Sequence, residues 1–162
     1  MRHALVTLYG AVAAALRHDH PALQLMVADL VEASADITET LITISAATLE
    51  RLEVALGSGM PFGEDSGCTA RRVLGIATDY GLADDRSVHA AAWRLDAVRA
   101  GDVPRAAADI TSSQVLGTDL ELVRGAVALL TAIVAMWAMR TGRSARVAAG
   151  ELCLAAAHLA AN

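Results

Sequence analysis

The chain has 162 residues, within the usual size of one domain; 55% of them are hydrophobic, 19% charged and 3% aromatic, and the net charge is −5. High hydrophobicity with modest charge excludes a disordered chain, and the acidic balance excludes the basic patch or stripe that a nucleic-acid-binding protein presents. All thirteen basic residues are arginine, which excludes Schiff-base lysines, phosphate-loop lysines and Ser-Lys catalytic pairs.

The charge is unevenly spread. Residues 1–80 hold five arginines against ten acids, whereas residues 81–162 balance at eight and eight. Two cysteines, Cys68 and Cys153, are too few for a disulfide scaffold or a zinc site and suit a reducing cytoplasm.

Helical spacing recurs along the whole chain, and strand alternation is nowhere sustained, so an all-α, single-domain bundle of about eight helices is expected. Leu5, Leu8, Val12 and Leu16 mark a first helix over about 3–18, read as such rather than as a secretory leader. The turn His18-Asp19-His20-Pro21 restarts the chain into a helix over about 21–33. Asp36 followed by Glu39 resembles a capping box and opens a third helix, with Ile37, Leu41, Ile44, Leu49, Leu52 and Leu56 on its apolar face. The glycine-rich stretch 57–67 predicts a long loop, and 69–80 a short helix stopped at Gly81.

In the second half Asp84 and Asp85 cap a helix ending at Gly101, Asp102 and Pro104 start a short helix to about Thr111, and Thr118 with Glu121 forms a capping box. That box precedes the uncharged run Gly125–Met139. At fifteen residues the run spans about 22 Å, short of the roughly 30 Å hydrocarbon core of a bilayer, so a buried helix and no membrane span is expected. It belongs at the centre of the bundle or across a subunit interface. Gly142 ends it, and a last helix covers about 144–160.

The halves, 1–81 and 84–162, resemble two tandem copies of a four-helix module of roughly 80 residues, with Arg17–Pro21 opposite Arg99–Pro104 and Gly57 opposite Gly142. The segment Thr141-Gly142-Arg143-Ser144, followed by Val147–Leu152 and preceded by Arg99–Asp102, resembles small alanine-rich all-helical proteins of actinobacteria. The likeness covers mainly residues 88–157 and implies a helical module without transferring any functional residue.

The candidate binding site is the loop 57–68 with Cys68, Thr69, Arg71 and Arg72. A thiol at a helix start near two guanidinium groups is acidified, and first-turn amides attract anions. The alternative is that Cys68 packs as a small apolar residue and both arginines are solvated, an alternative that Glu64 and Asp65 favour by making the surroundings less positive.

His18 and His20 flank Asp19 without an identifiable third ligand, so a solvent-facing capped turn is expected in place of a metal site. No pattern specifies a cofactor or a catalytic residue. Asp29, Glu32, Asp36, Glu39, Glu50 and Glu53 form an acidic stretch, either a solvated face or a docking surface for a basic partner.

A chain this apolar and poor in charge leaves a large exposed patch, the usual mark of an interface. The leading expectation is therefore a self-associating helical interaction or scaffold module, a homodimer. Its contact would involve the 125–139 helix, through Leu130, Val134 and Trp137, or the alanine-rich terminal helices. The alternative is a small-molecule-binding protein or enzyme with a pocket lined by Met26, Trp93 or Trp137 and closed by the glycine-rich loop.

Overall fold

The computed structural model describes residues 2–34, 36–56, 75–82, 85–114 and 118–161. Among them there are eight helices and no strand: α1 (Arg2–Leu16), α2 (His20–Glu32), α3 (Ile37–Leu56), α4 (75–79), α5 (Asp85–Arg99), α6 (Val103–Gln114), α7 (Asp119–Arg140) and α8 (Ala145–Ala161).

The helix α7 is the centre of the bundle. It touches α1, α2, α3, α5, α6 and α8, and residues 125–135 are buried without interruption. A helix surrounded on all sides has no polar face, which is why this run carries no charge. Thr131, inside the run, donates its hydroxyl to the Val127 carbonyl at 2.8 Å, so its polar atom is satisfied within the helix.

The helix is longer than its apolar run. Six residues precede Gly125 in it, and at 22 residues it is long and apolar enough to cross a membrane by length and composition. Length therefore does not separate it from a membrane span. Its surroundings account for the apolar run instead, because 78% of its most apolar window is buried against the other helices.

Small side chains bring α1 and α8 together. Ala11, Ala13, Ala14 and Ala15 on the first, with Ala148, Ala149 and Ala156 on the second, are all buried, and the two helices pack directly on each other. One continuous apolar cluster takes residues from all eight helices.

Two helix junctions are built alike. At the end of α1, His18 adopts a left-handed φ of 58°, Asp19 donates its amide to the Ala14 carbonyl at 2.9 Å, and the Asp19 carboxylate accepts from the Ala22 amide at 3.2 Å. At the end of α5, Gly101 takes φ 74°, Asp102 donates to the Ala97 carbonyl at 2.9 Å, and its carboxylate accepts from the Arg105 amide at 3.1 Å. Each junction thus closes one helix with a 6→1 bond, caps the next with aspartate and places proline in the new first turn. His18, which lacks glycine's freedom, stacks its ring on Tyr80 with centroids 4.9 Å apart.

Thr118 and Glu121 form the reciprocal capping box that starts α7. The Thr118 amide donates to Glu121 Oε2 at 2.7 Å, and the Glu121 amide donates to Thr118 Oγ1 at 3.3 Å. Thr118→Ala is expected to lower stability by about 1 kcal/mol, read from the midpoint of urea unfolding; an unchanged midpoint would mean that core packing alone holds the start of this helix. At α3 the aspartate caps without closing a full box: Asp36 Oδ1 accepts from the Thr38 amide at 2.8 Å. The helix α6 continues to Gln114, three residues past the expected stop, and of the helix expected over 69–80 the described part is 75–79, with Gly81 at φ 68°.

Candidate functional site

The outer face of α8 is the most prominent candidate. Its buried side, Ala148, Ala149, Leu152 and Ala156, is spent within the chain's own core. On the opposite side Val147, Gly150, Leu154, Ala157 and Ala161 are all exposed. Their spacing of 3, 4, 3 and 4 residues aligns them in one stripe, since 3.6 residues make a turn. Leu154 is 69% exposed and Val147 49%.

The stripe is bordered by charge. Arg143, in the turn between α7 and α8, donates from Nη1 to both carboxylate oxygens of Glu151, at 2.7 and 2.8 Å. Its guanidinium also lies over the Trp137 ring, 4.8 Å from the centroid. One arginine thus connects the half-buried tryptophan at the end of α7 to the outer face of α8. Arg146 is exposed and has no ion-pair partner among the described residues.

Cys153 lies next to Leu154 on this exposed side and is a free thiol, with Arg17 Nη2 at 2.8 Å from its sulfur. Met139, near the end of α7, is also well exposed.

A pocket of about 250 Å³ lies between the start of α1, the end of α2 and the start of α3. Leu8, Leu30 and Ile44 supply apolar walls, while Asp29, Asp36 and Glu39 place carboxylates around it. Ser34 and Thr40, also in its lining, hydrogen-bond to each other through their hydroxyls. Among the described residues no group of three or more His, Cys, Asp or Glu side chains is arranged to hold a metal ion.

A second buried feature is Arg94 on α5. Its side chain is fully buried, and among the described residues its Nε and Nη1 find no hydrogen-bond partner. Desolvation lowers its pKa to about 10, against a smaller opposing effect of Asp109 on α6.

These placements redistribute the residues expected from sequence. Cys68, Thr69, Arg71 and Arg72, with the 57–67 loop, lie outside the described residues. Leu130 and Val134 are 1% and 5% exposed inside the chain's own core, so neither offers surface to a partner. Trp137 remains half-buried at the edge.

The pocket between α1, α2 and α3 uses none of Met26, Trp93 or Trp137: Met26 packs its thioether against Gly10, and Trp93 is exposed. Of the acidic stretch, Asp29 from α2, Asp36 from the turn before α3 and Glu39 from α3 converge on that pocket, while the Glu50 and Glu53 side chains lie outside the described set. The alanine-rich terminal helices were expected as a possible interface, but the stripe on α8 was not singled out, because a helix rich in alanine is apolar in every direction. Its spacing was present in the sequence, but only burial of the opposite side shows which residues are left exposed.

Comparison with known protein families, curated proteins and solved structures finds no match.

Proposed function

We propose that this chain is a self-associating helical interaction module. The observation supporting this reading is the outer face of α8, where Val147 and Leu154 stand in the open on a coiled-coil spacing while the other side of the same helix fills the core. We also read the two halves, 1–81 and 84–162, as copies of one four-helix unit within a single domain. The support is the pair of junctions built alike and the exchange of contacts between halves: α1 meets α7 as α5 meets α3, and α2 meets α7 as α6 meets α3.

A second reading, a small-molecule-binding protein, is supported by the pocket between α1, α2 and α3, whose apolar walls and polar rim have the mixed character of ligand sites. Native mass spectrometry of protein purified without denaturant separates the two. A two-chain species without added mass is the expected result. A single-chain species carrying a reproducible extra mass would replace the first reading with the second.

A further inference from the structure

We propose that the partner of the α8 stripe is the α8 stripe of a second copy, lying parallel to it about a two-fold axis. The inference rests on the self-association reading above and names the surface and orientation through which it occurs.

On the 3-4 spacing, Val147, Leu154 and Ala161 take one set of seam positions and Gly150 and Ala157 the other. The flanking positions are then Arg146 and Cys153 on one side and Glu151 and His158 on the other. In parallel helix pairs, a residue on the first flank meets the residue five positions later on the second flank of its neighbour. Arg146 of each copy therefore meets Glu151 of the other, and the contact is made twice by symmetry.

The charges favour this orientation over the antiparallel register that seats Leu154 on Gly150. Arg146 has no ion-pair partner within the described residues of its own chain. Glu151 accepts the two bonds from Arg143, which hold its carboxylate on the outer face of α8 beside the seam. In an antiparallel pairing that seats Leu154 on Gly150 of the second copy, Glu151 instead faces its own counterpart, and like charges repel. Gly150 adds no side chain at the seam and has open space around its Cβ position.

The size of the contact sets its strength. A 17-residue helix is about 25 Å long, and with a diameter of 10–12 Å its outer face removes on the order of 400–500 Å² per copy from water. That is below the roughly 800 Å² per partner of a standard stable complex, so the dimer belongs to the weak, concentration-dependent class.

The test is sedimentation equilibrium on full-length variants over a wide concentration range. Leu154→Glu puts a charge at the centre of the seam and is expected to weaken dimerisation by about tenfold or more. Leu25→Glu alters an equally exposed leucine on α2 and is expected to leave dimerisation unchanged.

Arg146→Glu is expected to weaken dimerisation several-fold, and Arg146→Glu combined with Glu151→Arg to recover most of the loss. Circular dichroism checks that each variant is folded, and because Leu25, Arg146, Glu151 and Leu154 are all exposed, loss of fold is not expected. A wild-type dimer insensitive to Leu154→Glu would overturn the α8 contact while leaving self-association standing. A dimer sensitive to Leu154→Glu but not restored by the charge exchange would overturn the parallel orientation. A wild type that stays monomeric throughout would remove both this proposal and the reading on which it rests.

Discussion

Gly125→Ala is expected to destabilise the fold by about 2–3 kcal/mol, although alanine is the better helix former by about 1 kcal/mol. A Cβ at this position would lie 2.4 Å from the Ser87 carbonyl oxygen and 2.5 Å from its carbonyl carbon. Both are backbone atoms of α5, so relief requires moving one helix away from another rather than rotating a side chain. The residue lies where α7 enters its fully buried stretch, and a shift there disturbs the packing of α5 on the central helix. Gly150→Ala is the matched control: nothing lies within 4 Å of its Cβ position, and relief of glycine's backbone entropy is expected to raise stability by about 0.5–1 kcal/mol. Urea unfolding of both variants checks the pair. A Gly125→Ala protein as stable as the wild type would show that α5 and α7 do not approach this closely.

Arg94→Met is expected to raise stability by about 1–3 kcal/mol, since an apolar side chain of similar length replaces a buried charge with incomplete pairing. The lowering of the Arg94 pKa to about 10 corresponds to a penalty of about 3 kcal/mol on its charged form. At neutral pH both folded and unfolded chains carry this charge, so the penalty is fully present. It is relieved only as pH rises above about 10, where the folded chain releases the proton before the unfolded chain does, and this contribution makes stability increase with pH in that window. Thermal unfolding at neutral pH is the direct check, with a midpoint rise of about 2–4 °C for each kcal/mol gained. A marked loss of stability in Arg94→Met would mean that the guanidinium is held by more than Asp109.

The architecture was legible from local signals. Asp102 and Thr118 each cap the helix expected of them, Asp19 caps α2 within the turn expected to restart the chain, and Gly81, Gly101 and Gly142 each adopt the left-handed φ that ends a helix. Cap geometry depends on a few adjacent residues, which is why it can be read without tertiary information. The apolar run 125–139 was legible as a buried helix, but its surroundings were not. The sequence left the bundle centre and a subunit interface equally open, and the packing of six helices around α7 decides for the centre.

The candidate site was less legible because it depends on which side of an apolar helix is left over. Leu130 and Leu154 are the same residue type on helices of similar composition, yet one is 1% exposed and the other 69%. No local rule separates them; the position of α1 against α8 does. The carboxylates of Asp29, Asp36 and Glu39 pose the same problem. Their sequence proximity suggested an acidic surface, whereas the start of α1, far away in sequence, turns them into the rim of a pocket.

The central claim is that this helical chain associates with itself, and the most direct measurement is sedimentation equilibrium of the wild-type protein from low to high micromolar concentration. The account predicts an average mass that climbs from one chain toward two as concentration rises, as a weak reversible dimer requires. A mass fixed at one chain across the whole range would contradict it.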